Sequence, residues 1–244
     1  MFHPWLNLLL FHEMALKGFL SKKITMRSHL LRYEREAWMR GVRRICGVDE
    51  AGRGPLAGPV VAAAVILPAD FEHPKLTDSK KLTPRQRETI YEELVANKAL
   101  EWGVAFVHAR EIDRINILQA TWKAMVDARA ALRAPPDWTL VDGLRVPPLG
   151  ECQTALVGGD SLSFSIAAAS VIAKVTRDRW MLQLAEQYPR YGFARHKGYG
   201  TVAHLRALSE FGPCAEHRRS FEPVRLAAGR HGIRSRPVES DILM

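Results

Sequence analysis

Along the middle of the chain, apolar residues recur in two rhythms: short continuous or alternating runs, and longer runs stepped by three or four positions. Residues 45–48 and 60–67 are nearly uninterrupted apolar runs, as strands covered on both faces require. Leu100, Trp102, Val104 and Phe106 alternate with Glu101, Gly103 and Ala105, which predicts a strand with one face less buried. Residues 138–141 and 152–157 supply two more short strands. Between them, Thr83-Pro84-Arg85-Gln86 combines a cap, a proline at the first helical position and a glutamine able to close a capping box. Ile90, Tyr91, Leu94 and Val95 form the buried side of that helix. Ile115, Leu118, Trp122, Met125 and Leu132 predict a long amphipathic helix, stopped by Pro135 and Pro136. Another helix runs from Ser165 to about Tyr188, with Ile166, Ala169, Ala173, Trp180 and Leu184 inward and Lys174, Arg177 and Asp178 outward, and a further one covers 201–211. The order β-β-α-β-α-β-β-α defines an α/β domain without internal repeats.

The two ends read differently. Phe2, Trp5, Leu6, Leu8, Leu9, Leu10 and Phe11 form an apolar run, but no basic residue precedes it, His12, Glu13 and Lys17 interrupt it, and it is too short to span a bilayer. Residues 1–43 are therefore expected to be a non-catalytic extension, partly helical around 30–39, and a chain starting near Glu36 is expected to keep its turnover. Residues 44–225 form the expected catalytic domain. The last segment, 226–244, has no periodicity and is expected to be a disordered tail.

Composition sharpens this only in places. The 244 residues, 47% hydrophobic, suffice for one α/β domain with a large core. Three widely spaced cysteines fit neither a disulfide framework nor a zinc knuckle and indicate a reducing, cytoplasmic compartment. The net charge is +9, yet +6 lies in residues 1–44 and +2 in residues 225–244, leaving the body nearly neutral. A high pI alone thus does not establish a nucleic-acid partner.

The candidate chemistry lies in the acids. Asp49 and Glu50 follow a buried strand and precede a turn built from Gly52, Gly54, Pro55, Gly58 and Pro59. Asp142 ends another strand before Gly143, and Asp160 follows a third within Gly158-Gly159-Asp160-Ser161. If the strands ending at Val48 and Val141 are neighbours, Asp49 and Asp142 lie together, and mutually repelling carboxylates are relieved by a hard divalent cation. An all-oxygen set points to Mg²⁺ or Mn²⁺ rather than zinc, and two such ions would serve phosphodiester hydrolysis. Adjacent strand residues face opposite ways, so Asp49 and Glu50 are expected to share a site only if the strand breaks between them. Asp178, four residues after Lys174, reads as an exposed ion pair. The Ser79-Lys80-Lys81 run suits either a solvated loop or phosphate contacts.

Six motifs then fall in order: Gly47-Val-Asp-Glu-Ala-Gly-Arg-Gly-Pro-Leu-Ala-Gly-Pro-Val, Asp78-Ser-Lys-Lys-Leu, Val141-Asp-Gly, Gly159-Asp-Ser, Ala167-Ala-Ala-Ser-Val-Ile-Ala-Lys-Val-Thr-Arg-Asp-Arg and His196-Lys-Gly-Tyr-Gly-Thr. Over about residues 45–225 the chain resembles the ribonuclease HII family. That resemblance implies an RNase H-like mixed β-sheet flanked by helices, with a C-terminal helical region that helps hold the duplex. It implies endonucleolytic cleavage of RNA in RNA/DNA hybrids, and 5′ of single ribonucleotides embedded in duplex DNA, leaving 3′-hydroxyl and 5′-phosphate ends. The family's metal ligands fall on Asp49, Glu50, Asp142 and Asp160, and its junction-sensing tyrosine on Tyr199. Gly52, Arg53 and Gly54 are the expected reader of the 2′-hydroxyl, since glycines let backbone groups approach a sugar closely. Lys80 and Lys81 complete the expected substrate contacts. The chain is expected to be a monomer with no membrane attachment. Two alternatives stay open: another metal-dependent nuclease of the same fold, or a non-catalytic RNA-binding module using Arg53, Lys80, Lys81, Arg195 and Lys197.

Overall fold

The computed structural model describes residues 30–232. Strands β1 (Ile45–Ala51), β2 (Val60–Ile66), β3 (Glu101–Val107), β4 (Trp138–Asp142) and β5 (Gln153–Leu156) form one sheet in the order β3-β2-β1-β4-β5. The first two neighbours pair antiparallel, whereas β1, β4 and β5 run parallel, which makes the sheet mixed. Helices α1 (Arg32–Met39), α2 (Pro84–Ala96), α3 (Ala109–Ala130), α4 (Phe164–Gln187), α5 (Val202–Phe211) and α6 (Glu222–Arg230) surround it. Among the described residues, no helix is long and apolar enough to cross a membrane.

Strand alternation decides which helix covers which residue. Cys46 and Val48 face α3, where they pack with Ala120, Ala124 and Met125. On the other side, Ala63 and Val65 of β2 meet Ala167, Ala168, Val171 and Ile172 of α4, together with Ile90 and Leu94 of α2. Small residues let α4 approach closely. A β-carbon on Gly47 would collide with the backbone of Ser165 and Ile166, so this strand position admits only glycine at the observed spacing.

Local signals account for the helix ends. Thr83 accepts from the Gln86 amide and Gln86 returns the bond to the Thr83 amide, the expected capping box. Ser163 caps α4 through the Ile166 amide. The long α3 is interrupted at Asn116, whose φ of 67° departs from helix while its side chain accepts from the Leu118 and Gln119 amides and restarts the helix.

Three expectations require correction. Arg177 does not face outward; it is fully buried. The boundary at residue 44 cuts through packed structure: Leu31 is buried in the core, and the 1% exposed Glu34 accepts hydrogen bonds from Ser163 Oγ (2.6 Å), Ser165 N (3.1 Å) and Ser165 Oγ (2.7 Å) at the start of α4. A start near Glu36 would remove both contacts. At the other end, α6 extends to Arg230 with Ala227 and Ala228 buried, so structure does not stop at 226. The apolar run at 2–11 and residues 233–244 lie outside the described residues.

Candidate active site

Parallel pairing sets Val48 opposite Val141, so Asp49 and Asp142 emerge together where the β1–β4 ladder ends. The strand does not break after Asp49 as anticipated; β1 continues through Ala51, paired with β2. Both acids nevertheless border one cavity of about 430 Å³, because beyond Val48 the β4 side of β1 is open. Asp49, Glu50, Ala51, Gly52, Arg53, Gly54, Ser79, Lys80, Arg87, Asp142, Ser170, Lys174 and Tyr199 line it.

Electrostatics in this cavity are strained. Burial, then the charges of Glu50 and Asp142, hold the Asp49 carboxyl well above the usual carboxylate range, although the Glu50 amide donates to its Oδ1 at 2.7 Å. Burial also raises Glu50, against the opposing pull of Arg53, whose Nη1 stands 3.5 Å from Glu50 Oε1. One oxygen of Asp142 accepts the Gly159 amide at 2.7 Å, which ties the end of β4 to the turn carrying Asp160. Asp160 itself lies beside Asp78 rather than on the cavity wall; burial and a hydrogen bond with Asp78 push its carboxyl up to about 6. Its Oδ2 is buried without a hydrogen-bond partner, with Lys80 Nζ 3.8 Å away. Burial works to lower Lys80, but the charges of Asp160, Asp49, Asp78 and Asp142 hold it above its ordinary value.

Among the described residues, no three His, Cys, Asp or Glu side chains stand close enough to hold a metal ion as placed. Carboxylates repel one another, and the cations among them, Lys80 and Lys174 on the cavity wall and Arg53 beside Glu50, do not draw three of them to one point. The donor set still fits a hard divalent cation: all its atoms are oxygen, Asp49 is destabilised by its acidic neighbours, and Asp160 retains a buried oxygen with nothing bound to it.

The turn after Glu50 is held from behind by two arginines that sequence reasoning missed. Fully buried Arg218 donates to the carbonyls of Gly52 (2.6 Å), Arg53 (2.8 Å) and Gly58 (3.0 Å). Arg177 donates to Pro59 (2.9 Å), Lys197 (3.1 Å) and Ala57 (3.2 Å). Burial lowers Arg218 to about 9 and Arg177 to about 10, so both remain charged at neutral pH, with the more distant charges of Asp113 and Asp178 opposing the shift. Gly52 adopts φ +98°, and a β-carbon there would collide with Arg177. The same arrangement brings the distant Tyr199 to the turn: Leu56 N donates to Gly198 O at 2.8 Å, and a β-carbon built on Gly54 would lie 3.9 Å from Tyr199 Cε1. Tyr199 is 44% exposed and its ring lies 5.9 Å from the Arg177 guanidinium.

Not every expected residue converges. Lys81 turns toward Ser161 Oγ (3.3 Å) and Asp78 (3.8 Å), off the cavity wall. Asp178 pairs with Lys174 at 2.6 Å as expected, though both are part-buried, with Arg87 at 3.7 Å. Ser170, on the cavity wall and donating to Ser79 Oγ at 2.7 Å, was not singled out from sequence.

Comparison with known proteins gives a consistent family. Residues 46–224 match the family model described as Ribonuclease HII. Ribonuclease HII of Geobacillus kaustophilus is 59% identical over 197 residues, covering 80% of this chain and 75% of the relative. That of Chlamydia muridarum is 55% identical over 201 residues, covering 82% and 92%. Among solved structures, the ribonuclease H2 of Pyrococcus horikoshii superposes with a TM-score of 0.66 at 29% identity, covering 77% of this chain and 98% of that one.

Proposed function

Because the chain belongs to the ribonuclease HII family and is thus an endonuclease of the ribonuclease H class, we propose that this cavity hydrolyses the RNA strand of RNA/DNA hybrids and also cuts 5′ of a single ribonucleotide embedded in duplex DNA, leaving 3′-hydroxyl and 5′-phosphate ends. One observation carries the finer part of this reading. Asp49, Glu50 and Asp142, the Gly52–Gly54 turn and Tyr199 line a single cavity, so a backbone cut there would have its neighbouring sugars against the turn and the ring.

Asp49, Glu50, Asp142 and Asp160 would hold divalent cations, Mg²⁺ or Mn²⁺. Two such ions supply an activated water and stabilisation of the leaving oxygen. The chain's own residues do the rest. With its carbonyls drawn back by Arg218, the Gly52-Arg53-Gly54 backbone turns toward the cavity and can reach a 2′-hydroxyl without an intervening β-carbon. Phosphate charge is the same on both kinds of nucleotide, so Lys80 and Arg53 position the strand while the turn discriminates. Tyr199, exposed at the cavity rim, stacks on the adjoining deoxyribose. Three unpaired cysteines suit a reducing, cytoplasmic setting, and we read the enzyme as a monomer.

A cleavage gel tests this directly. The enzyme is incubated with duplex DNA, an RNA/DNA hybrid and a DNA duplex carrying one ribonucleotide, in Mg²⁺, in Mn²⁺ and in EDTA. Cutting of the latter two only, abolished by EDTA, is expected. Equal cutting of plain DNA would mark another nuclease of this fold, and binding without cleavage a non-catalytic module.

A further inference from the structure

Behind Tyr199 lies a line of buried groups that the reaction above does not use. His204 and His217 are both buried, and their Nε2 atoms face each other at 3.0 Å. At one end His204 Nδ1 lies 2.9 Å from the Tyr199 carbonyl oxygen. At the other, His217 Nδ1 receives the Cys214 amide at 3.1 Å, with Cys214 Sγ also at 3.1 Å.

Proton counting allows one arrangement. The Cys214 amide can only donate, so His217 Nδ1 accepts and its proton sits on Nε2. That proton points at His204 Nε2, which must accept, leaving the His204 proton on Nδ1, where it meets an oxygen that can only accept. Counting from the Tyr199 end gives the same result independently. A charged imidazole at either position would set two donors face to face. Burial agrees with this, lowering His204 to about 4 and His217 to about 3.

We infer that His204 and His217 are positioning residues: His217 fixes the tautomer of His204, and His204 holds the Tyr199 carbonyl so that the ring stands at the height of the nucleic-acid sugar. This rests on the reading of Tyr199 proposed above. Neighbouring contacts point the same way. The His196 ring stacks on His204 with centroids 4.4 Å apart, and its Nδ1 accepts the Gly198 amide at 3.3 Å. Arg177 takes the Lys197 carbonyl, and the Thr201 amide shares the Tyr199 carbonyl at 2.8 Å. Three successive residues before α5 are thus gripped by their backbones, while the one side chain left exposed is the ring.

The test measures kcat/KM on a single-ribonucleotide duplex and on a continuous RNA/DNA hybrid. His204→Leu is expected to lower the first about tenfold more than the second, on the scale of one lost hydrogen bond. His204→Gln, whose amide can donate to Tyr199 and accept from His217, should restore most of the difference. In a Tyr199→Ala background, His204→Leu should add less than about twofold to it. Equal losses on both substrates, or full additivity with Tyr199→Ala, would overturn the positioning role alone. Were Tyr199→Ala itself to leave the ratio unchanged, the assignment of Tyr199 would fall, and this inference with it. Long-range ¹H–¹⁵N spectra of the wild-type enzyme give a readout that needs no variant. They should show His204 protonated on Nδ1 and His217 on Nε2, and any other pair of tautomers refutes the relay.

Discussion

The guanidinium of Arg218 donates to the carbonyl of Gly52 at 2.6 Å, so the turn that follows Asp49 and Glu50 is held by a charge 166 positions further along the chain. Two further carbonyls, of Arg53 and Gly58, accept from its Nη1 and Nε.

Replacing Arg218 should therefore cost more than a single contact. Arg218→Met leaves three backbone acceptors without donors, and Arg218→Lys cannot span three carbonyls with a point charge. Denaturant unfolding should show a loss on the order of 3 kcal/mol for either variant, with cleavage reduced further than unfolding explains. A lysine variant within about 1 kcal/mol of wild type would show that the fork is not needed.

For the acids, the expected signature is activity lost without stability lost. Asp49→Asn or Asp142→Asn removes one of several mutually repelling carboxylates, so melting without metal should be unchanged or raised. Cleavage should fall by on the order of 10³ or more. Near-wild-type turnover in either variant would remove that residue from the catalytic set.

At the amino end, the decisive point is Glu34. A chain beginning at residue 30 should fold and turn over normally, whereas one beginning at 41 loses Leu31 and the Glu34 bonds to Ser163 and Ser165. Glu34→Ala alone is expected to destabilise by roughly 2 kcal/mol, since it strips acceptors from the first turn of α4. Calorimetry of the three proteins decides it; matching melting temperatures would mean that α1 adds nothing to the fold.

The two buried histidines also predict a pH dependence. Their folded-state values, about 4 and about 3, lie below an unfolded value of about 6.5, so the folded state favours the neutral rings. Their contribution is complete above pH 6.5 and lost as the pH falls toward 4 for His204 and toward 3 for His217. At pH 5 that is ~2 kcal/mol for each ring. A His204→Gln, His217→Gln double variant should lose less stability than wild type between pH 7 and 5, and parallel unfolding curves would contradict this.

Much of this architecture was legible because it is written locally. The Thr83–Gln86 box, the apolar runs of β1 and β2 and the acids at the ends of β1 and β4 each lie within a few residues of the features that explain them. Arg177 was misread for the opposite reason. Helical periodicity assigns a charged side chain to solvent, and its partners are carbonyl oxygens, two of them 118 and 120 positions away, which carry no side-chain signal. The same applies to Arg218, whereas His204 and His217 meet side chain to side chain only 13 positions apart, a pairing that no helical or strand period marks. A hint was present in the basic run His217-Arg218-Arg219, which has no local periodicity to place it on a solvated helix face. That both acids could border one cavity without a strand break depended on where the β1–β4 ladder ends, a fact of pairing and not of either strand alone.

The 166 positions between Arg218 and Gly52 also set a sequence of events. During synthesis the acids of β1 and the glycine turn leave the ribosome early, long before the residue that clamps them exists. Until Arg218 arrives, Arg177 can hold Ala57 and Pro59, but the carbonyls of Gly52, Arg53 and Gly58 lack their buried donor. A chain still short of Arg218 therefore carries the acids without the clamp on the turn beside them, and the geometry there is completed only once that later segment has been made and docked.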